Sequence, residues 1–422
     1  METPLTQNIK KDGTTCYLKD YEKSGGYQGA RKAFKELAPA EITNTVKEAN
    51  LLGRGGAGFN TGMKWSFVKI DTPEQRYVIA NGDEMEPGTF KDRLLMEGDP
   101  HQLIEGMLIT ARAMNASQGF IFIRWAYKKA HLIIAKALAE AYEAGYLGKN
   151  ILGSDFSFDL HLHTSVGRYI CGEETALITS LEGKRANPRA KPPFPQFSGL
   201  FGKPTIVNNV ETYCNIPHII KNGSAWFKSL SKSGEGGTKL YGASGRVKNP
   251  GVWELPLGVT VREILEVHAG GMADGYKFRG LLPGGASTDF LVEEHLDVAM
   301  DFSSVSKDGS RMGTGIMIVM DDKTCPVAFI LNLEHFFAKE SCGFCTPCRD
   351  GLPWVEKTLQ KIEEGQGTEK DIDILKFHTK YLGPGNTFCA HAPGAMEPLQ
   401  SGLKYFKEDF DRHIKDKKCS YK

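Results

Sequence analysis

The sequence predicts a mixed α/β chain: a Rossmann-like parallel-sheet domain with a non-standard glycine loop, a small β-grasp (ubiquitin-like) domain, and a C-terminal four-helix bundle. Strand-like and helix-like segments alternate from Arg76 onward, which is typical of a parallel sheet covered by helices. After "KSGEGGTKL" short strands surround a single helix-like segment. From Pro326 onward apolar residues recur at spacings of three and four, which predicts packed helices.

Size and charge limit the classes of function that fit. The chain has 422 residues, enough for about two to four compact units. Lys and Arg total 52 and Asp and Glu total 51, so overall charge favours neither a nucleic acid nor an anionic membrane as partner. The first residues lack an apolar stretch, and no window reaches the roughly 18 apolar residues of a membrane span. We therefore expect a soluble, intracellular chain.

The first two units are predicted to be a wrapping segment, 1–61, that ends in a glycine loop, and the Rossmann-like domain, 62–239. In the second unit, strands are expected at "YVIA", "GFIFIRW" and "FDLHLH". One helix is expected to run from Pro100 to Met114, with Asp99 as its cap and Gln102 at its third position.

The β-grasp-like domain is predicted at 240–324, from the strands "KLYGASGRV", "GVWELP" and "FRGLLPGG" and the helix "TVREILEVHAGG". The bundle follows at 325–422. Its four helices are expected at "VAFILNLEHFFAKES", "PWVEKTLQKIEEG", "TEKDIDILKFHTKYLG" and "PGAMEPLQSGLKYFKEDFDRHI". The final "KDKKCSYK" is expected to be a frayed tail.

Three cysteines at every third position, Cys342, Cys345 and Cys348, and a distant Cys389 predict a metal centre at one end of the bundle. Disulfides are disfavoured in a reducing compartment. Zinc usually takes separated pairs of ligands, whereas three cysteines in one turn with a remote fourth are typical of a [4Fe-4S] cluster. The cluster is therefore favoured over zinc. His391 is a weaker alternative to Cys389.

The remaining cysteines are expected to carry no chemistry. Cys16, Cys214, Cys325 and Cys419 have no partner at ligand spacing in the sequence, and we expect small buried or incidental thiols.

The phrase "GRGGAGF", residues 53–59, satisfies G-x-G-x-x-G. An ordinary dinucleotide-binding loop follows a strand, yet the helix-like "NTVKEANLL" precedes this one. The alternatives are a loop whose amides hold phosphate or lie along an aromatic ring, and a flexible surface turn.

Polar residues gather where predicted strands end, which is where ligands bind in parallel sheets. "ANGDEMEPG" follows the strand "YVIA", and "YICGEET" precedes a helix. "IVNNVET" is a third passage from a strand to a helix. The acids can bind a ribose or a cofactor ring, or simply solvate a loop and stabilise a helix start. "KPPFP" is a stiff turn that presents Lys191 and Phe194.

In order along the chain, these motifs resemble the flavoprotein subunit of respiratory NADH:quinone oxidoreductase, complex I. The segments that carry the resemblance are 53–64, 81–93, 169–177, 191–195, 204–212 and 342–349, together with Cys389. The resemblance implies a subunit that passes hydride from NADH to FMN and single electrons to a [4Fe-4S] cluster. "NGDE", "FNTG" and "RWAY" depart from the usual family pattern.

The resemblance also implies residue roles. The implied FMN-binding residues are Gly53, Arg54, Gly55, Gly56, Gly58, Lys64, Asn81, Asp83, Tyr169, Gly172, Glu173, Glu174, Asn208 and Asn209. The implied NADH-binding residues are Phe59, Phe67, Glu84, Glu86, Lys191 and Phe194, of which Glu84 and Phe59, with Tyr169, are expected at the reaction centre. The implied cluster ligands are Cys342, Cys345, Cys348 and Cys389.

Implied partners are a thioredoxin-like [2Fe-2S] subunit and the large iron-sulfur subunit of the peripheral arm, at the cytoplasmic face of a bacterial inner membrane. Neither nucleic-acid binding nor direct membrane insertion is expected. Two alternatives remain. One is a diaphorase subunit of an NAD-linked hydrogenase or formate dehydrogenase, and the other is a nucleotide-binding module whose metal only stabilises the helical bundle.

Overall fold

The computed structural model describes residues 2–421. The chain begins with helices that pack on the first sheet's layer: α1 (Leu18–Lys23), α2 (Gln28–Lys35), α3 (Pro39–Glu48) and the short α4 (Thr61–Ser66). The loop 53–59 therefore follows a helix and not a strand, as the sequence predicts.

The first sheet is parallel, with the strand order β3-β2-β1-β4. Its strands are β1 (Tyr77–Gly82), β2 (Gln118–Ile123), β3 (Asp159–Thr164) and β4 (Thr205–Asn209). Its helices are α5 (Lys91–Gly98), α6 (Pro100–Met114), α7 (Lys128–Glu143), α8 (Glu174–Leu181), α9 (Val210–Asn222) and α10 (Ser224–Ser229). Because parallel strands end at the same edge, the ends of β1 and β4 lie side by side, with Asn81 paired to Asn209.

Two details differ from the sequence-based expectation for this sheet. Helix α5 has no counterpart in the prediction, because its residues belong to a polar stretch without clear periodicity. Helix α6 has the predicted bounds and Asp99 at its N-cap, but the Asp99 side chain makes no capping hydrogen bond. The Asp99 carboxylate instead accepts hydrogen bonds from the Asn8 and Gln102 side chains, at 2.9 and 3.2 Å.

The second sheet is mixed, with the strand order β6-β5-β8-β7. Its strands are β5 (Thr238–Gly245), β6 (Gly251–Pro256), β7 (Phe278–Leu282) and β8 (Ile316–Asp321). A π-helical turn spans Glu263–His268, and α11 spans Phe302–Lys307. Strand β8, which was not among the predicted strands, lies between β5 and β7 and pairs in parallel with β5.

The C-terminal region is helical: α12 (Pro326–Glu340), α13 (Thr346–Glu363), α14 (Glu369–Tyr381), α15 (His391–Tyr405) and α16 (Lys407–Asp416). Within residues 2–421 this makes five helices where the sequence predicts four, because the last predicted helix breaks at the buried Phe406, whose ψ is 28°. The expectation of a frayed tail is also wrong. Cys419 is buried, and the Tyr421 hydroxyl donates to Asp409 at 2.7 Å.

Over the described part of the chain, no helix combines the length and the apolar character that crossing a membrane requires.

Candidate active site and cluster ligands

A cleft of about 680 Å³ opens at the carboxyl ends of β1 and β4. This edge of a parallel sheet is the usual place for a ligand. The cleft is lined by Gly53, Gly55, Ala57, Phe59, Lys64, Phe67, Asn81, Gly172, Glu174, Lys191, Phe194, Gln196, Phe197, Val207, Asn208, Asn209 and Thr212. Most of the predicted FMN- and NADH-binding residues are thus brought together from separate segments of the sequence.

The glycine loop supplies one wall of this cleft. Gly53 and Gly55 line it directly, and a Cβ on Gly55 would come within 3.1 Å of the Asn209 Cβ. Gly58 has a φ of +63°, and a Cβ there would lie 2.5 Å from the Phe302 ring. The loop therefore needs glycine both for close approach and for backbone conformation.

Arg54 is an exception among the predicted loop residues. Its side chain is fully buried, and its guanidinium donates to the carbonyl oxygens of Gly236 and Thr238, at 2.7 and 3.1 Å. The Arg54 side chain therefore anchors the loop to β5 and does not line the cleft, which differs from the expectation of a cofactor-binding side chain. Residue type alone cannot show which way a loop side chain points.

Aromatic rings line the outer part of the cleft. Phe59, Phe67 and Phe194 are 51, 42 and 46% exposed, and the Phe59 and Phe67 ring centroids are 6.4 Å apart. Phe197, which the sequence reasoning missed, lines the same cleft and is 54% exposed. Apolar rings left in solvent at a concave site are typical of a place where a flat ring system stacks.

Lysines and glutamates form a connected charged group on the opposite wall. The Lys64 Nζ donates to Glu174 at 3.1 Å and to the Val207 carbonyl at 2.7 Å. The Lys191 Nζ contacts Glu173 at 3.0 Å and Glu174 at 2.9 Å. Glu173 also caps α8 by accepting from two backbone amides in its first turn. These contacts hold both ammonium groups at the cleft in fixed positions.

The predicted asparagines connect the strand ends. The Asn81 side chain donates to the Gly172 carbonyl at 2.8 Å. Asn209 caps α9 and donates to Asp92 at 2.6 Å. Asn208 lines the cleft at the end of β4. The amides thereby join β1, β4 and the turn before α8 into one rim.

A second cavity of about 280 Å³ adjoins the cleft and shares Gly55, Ala57, Asn81, Gly172 and Asn209 with it. Its lining also includes Gly56, Asp83, Glu84, Glu86, Tyr169, Glu173, Ser287, Arg311, Cys389 and His391. Glu84 and Glu86 thus lie in this cavity and not beside Phe59, which differs from the expectation. The second sheet's domain contributes Ser287 and Arg311, for which the sequence contained no signal.

The acids of this cavity are already hydrogen-bonded within the protein. Glu84 is 6% exposed and accepts from the Asp92 amide and the Tyr127 hydroxyl, both at 2.8 Å. Burial raises the pKa of Glu84 to about 7. Glu86 accepts from the Tyr169 hydroxyl at 2.5 Å and from the Ser287 amide at 2.7 Å.

Asp83 should make stability depend on pH. Burial raises the pKa of Asp83 from 3.8 to about 6. The contribution of Asp83 to the free energy of unfolding is therefore fully present below pH 3.8 and is lost as the pH rises through about 6. The loss amounts to at most about 3 kcal/mol. We expect the melting temperature of Asp83→Asn, measured relative to that of the wild type, to increase as the pH rises from about 4 to about 8.

Ser165→Ala is the control for this experiment. It removes the 2.7 Å hydrogen bond to Asp83 but keeps the ionisable carboxyl, so the pH dependence should remain. If the melting temperatures of the wild type and Asp83→Asn changed with pH in the same way, the raised pKa of Asp83 would be contradicted.

The four predicted cluster cysteines meet where the bundle contacts the first sheet. Cys345 is the N-cap of α13, Cys348 lies in its first turn, and Cys389 lies just before α15. Neighbouring thiols contribute to raising the pKa of Cys348 and of Cys389, after burial as the main cause. The four thiols therefore lie in one neighbourhood, as ligands of a single cluster require.

The alternative ligand His391 is held in place through one of its two ring nitrogens. Its Nε2 lies 2.8 Å from the Phe337 carbonyl, and its ring packs against Tyr169 and Phe337. Because a carbonyl oxygen only accepts, Nε2 carries the proton, and the buried Nδ1, which has no hydrogen-bond partner among the described residues, keeps its lone pair. His391 therefore stays the weaker alternative that the sequence indicated.

Comparison with protein-family models matches two functional regions. Residues 46–218 match the Nuo51 FMN-binding domain, and residues 328–413 match the NADH-ubiquinone oxidoreductase-F iron-sulfur binding region. Residues 243–291 match the SLBB domain. Fold, site and family models together indicate a flavin-binding, iron-sulfur oxidoreductase.

Curated relatives narrow this class to one family. The F subunit of NADH-quinone oxidoreductase in Escherichia coli K12 is 59% identical over 413 residues, which cover 98% of this chain and 93% of the relative. The corresponding protein of Streptomyces coelicolor is 44% identical over 99% of this chain and 92% of its own length. The chain belongs to the family of NADH-quinone oxidoreductase F subunits.

A solved structure, an NAD⁺-reducing [NiFe]-hydrogenase in the H₂-reduced state, is similar in fold, with a TM-score of 0.81 and 34% identity. The match covers 91% of this chain but 64% of the hydrogenase chain.

Proposed function

We propose that this chain is the electron-input subunit of an NADH-quinone oxidoreductase, in which hydride passes from NADH to FMN and single electrons leave through a [4Fe-4S] cluster. The observation that carries this proposal is the continuity of the two cavities. The cleft that can hold a flavin and a nicotinamide shares lining residues with the cavity that Cys389 lines. A ring system in the cleft is thus close to a cluster ligand.

The described residues fit both groups. Gly53, Gly55 and Asn209 leave flat backbone against which a flavin can lie, and Lys64 provides a positive charge beside it. The exposed phenylalanine rings at the mouth of the cleft can hold a nicotinamide against the flavin face. Stacking two rings at contact distance is the main requirement for hydride transfer.

The buried acids have a different role from the aromatic residues. Glu84, Glu86 and Tyr169 line the cavity on the cluster side, where we infer that they shape the flavin environment and do not contact NADH. Tyr169 packs edge-on against Phe336 and Phe337 of α12. It therefore bridges the flavin-side cavity and the bundle that carries the cluster cysteines.

Truncating an aromatic residue at the mouth of the cleft tests the proposed NADH side. We expect Phe59→Ala to raise KM for NADH about tenfold, equivalent to about 1.4 kcal/mol, because one stacking surface is lost. The kcat should change less, since the ring contributes to binding more than to the chemical step. Phe377→Ala is a matched control because this ring on α14 is also 51% exposed but lies outside the cleft. An unchanged KM in Phe59→Ala would remove Phe59 from the NADH site.

Cofactor content tests the proposal as a whole. The chain, purified anaerobically with its co-expressed subunits, should show flavin absorption and a broad iron-sulfur shoulder that NADH bleaches. A colourless protein with zinc bound at the four cysteines would instead support the alternative of a nucleotide-binding module with a structural metal. The hydrogenase diaphorase alternative has less support, because identity to that structure is 34% against 59% for the E. coli relative.

An apolar patch at the cluster supports docking of an electron-accepting subunit. Phe344 and Phe388 are 47 and 54% exposed, and their ring centroids are 5.1 Å apart. Each is adjacent in sequence to a cluster cysteine. We infer that an iron-sulfur subunit covers this patch, either the large subunit of the peripheral arm or the thioredoxin-like [2Fe-2S] subunit. Assembly with them would place the chain at the cytoplasmic face of the membrane.

The division of the chain follows from the same reasoning. We propose the four predicted units, 1–61, 62–239, 240–324 and 325–422, with the third as a β-grasp-like domain. The strand order β6-β5-β8-β7, with parallel central strands, supports this. Since α4 begins at Thr61 and β5 at Thr238, the first two boundaries are better drawn just before these residues.

A further inference from the structure

A second group of metal-binding side chains lies at the other end of the bundle. Cys325, Glu363, His413 and Cys419 come from four separate segments, and their ligand atoms all lie within 4.8 Å of one another. All four residues are buried, between 0 and 7% exposed. Cys325 and Cys419 are buried thiols, as expected, but they lie beside other possible ligand atoms that the sequence spacing did not indicate. We call these four residues the distal ligand group.

The distances in the distal ligand group are close to the edges of a tetrahedron around one ion. The Cys325 Sγ is 3.4 Å from the Glu363 Oε2 and 3.5 Å from the His413 Nε2. The His413 Nε2 is 3.1 Å from the Glu363 Oε2. Zinc–sulfur bonds of about 2.3 Å and zinc–nitrogen or zinc–oxygen bonds of about 2.0 Å give tetrahedral edges of about 3.3 to 3.8 Å.

His413 is oriented as a metal ligand. Its Nδ1 lies 2.7 Å from the Asp409 carbonyl, one helical turn back in α16. A carbonyl oxygen only accepts, so Nδ1 carries a proton, and Nε2 is the ring nitrogen that faces the group. A backbone carbonyl that fixes the tautomer in this way is typical of zinc-bound histidine.

The start of α12 holds Cys325 in place. Cys325 is the N-cap of α12, and the Ala328 amide donates to its Sγ at 3.4 Å. The helix start therefore fixes this sulfur beside Glu363 and His413.

The chain after α16 turns back to deliver the fourth ligand. Lys417 adopts a φ of 53°, and its Nζ donates to the Gly367 carbonyl at 2.8 Å. A Cβ on Gly365 would lie 2.0 Å from the Lys417 carbonyl oxygen. This close packing against the turn after α13 places Cys419 beside Glu363.

We propose that the distal ligand group binds one Zn²⁺ ion as a structural site that fastens the C-terminal segment to the bundle. Two thiolates, one imidazole and one carboxylate suit zinc, and four protein ligands leave no open position for catalysis. The site is distinct from the cluster site. Cys348 and Glu363 lie at opposite ends of α13, which separates them by about 22 Å at a rise of about 1.5 Å per residue.

Zinc content of the full-length chain, purified with its co-expressed subunits, tests the proposal. Metal analysis should find about one zinc per chain in addition to the cluster iron. In Cys325→Ser/Cys419→Ser, zinc should fall at least about tenfold while iron and flavin stay unchanged. Cys214→Ser is the matched control, because Cys214 is fully buried in α9 and outside the group.

A second comparison separates this site from the cluster cysteines, which can take up zinc if iron is lost. Cys342→Ser should keep the zinc of the distal ligand group. X-ray absorption at the zinc edge of the wild type should show two sulfur and two nitrogen or oxygen neighbours. Cys419→Ala, near the end of the chain, removes a ligand even if the double variant folds poorly.

Several results would overturn the proposal. They are a wild type without zinc, zinc retained in both the double variant and Cys419→Ala, four sulfur neighbours around the zinc, or a Cys325–Cys419 disulfide found by mass spectrometry.

Discussion

Cys348→Ser should abolish electron delivery by this subunit while leaving the flavin in place. Cys348 is 5% exposed and is held in the first turn of α13, so a hydroxyl would stand where the cluster needs a thiolate. A serine oxygen is a poor ligand for iron in a cubane site. We expect iron and acid-labile sulfide to fall strongly and quinone reduction to fall at least about 100-fold.

The flavin reaction should survive this change, which distinguishes loss of the cluster from loss of folding. NADH-dependent reduction of a small artificial acceptor that takes electrons directly from the flavin should remain within about threefold of the wild type. Cys16→Ser is the control, because Cys16 is also buried but belongs to the first core. An unaltered cluster signal in electron paramagnetic resonance of Cys348→Ser would show that Cys348 is not a ligand.

Glu211→Gln should be among the most destabilising single substitutions in the chain. The Glu211 carboxylate is fully buried between two lysines, 2.8 Å from the Lys91 Nζ and 3.3 Å from the Lys239 Nζ. It also accepts from the Leu240 amide at 2.8 Å. Because α9, α5 and β5 supply these groups, the network joins the first sheet's layer to the second sheet.

The electrostatics of this network set the size of the expected effect. Burial by itself would raise the pKa of Glu211, but Lys239, Lys91 and Arg54 outweigh it and lower the pKa to about 2. Its stabilising contribution is therefore present above pH 4.5 and is lost as the pH falls through about 2. Removing the carboxylate charge at neutral pH leaves the buried Lys91 and Lys239 side chains without this partner. We expect the free energy of unfolding to fall by about 3 to 5 kcal/mol.

The measurement is the melting temperature, which we expect to fall by about 10 °C. Glu263→Gln is the control. Its ion pair with Lys232 is exposed, with side chains 35 and 50% accessible, so its loss should cost less than about 1 kcal/mol. Similar melting temperatures for Glu211→Gln and the wild type would show that the buried network contributes little to stability.

Local patterns predicted the elements whose signals are local. The apolar strands β1 and β2, the proline at the start of α6 and the three-residue spacing of the cluster cysteines all depend on residues adjacent in sequence. Helix α5 and strand β8 were missed. Strand β8 is a short apolar run, "IMIVM", whose pattern alone does not distinguish a buried strand from a buried helix. In the fold it pairs with β5 on one side and β7 on the other.

Several site residues could not be placed from the sequence because side-chain direction depends on packing. Arg54 belongs to the glycine loop yet points towards β5, and Glu84 belongs to the acidic loop yet is buried against Tyr127. Phe197 could have been found from its spacing to Phe194 in the turn that presents both rings. Arg311 could not, since it reaches the flavin-side cavity from the second sheet's domain.

Short stretches of sequence were enough to specify the kinds of chemistry present: glycine backbone for a flat ligand, exposed phenylalanines for stacking, and cysteines at cluster spacing. Such features can be recognised without knowledge of the fold. Which distant residues meet, such as Cys389 with the flavin-side cavity and Cys325 with Cys419, became known from the folded chain alone. The physical reason is that helix packing and strand pairing, which depend on the whole core, bring these atoms within a few ångströms of one another.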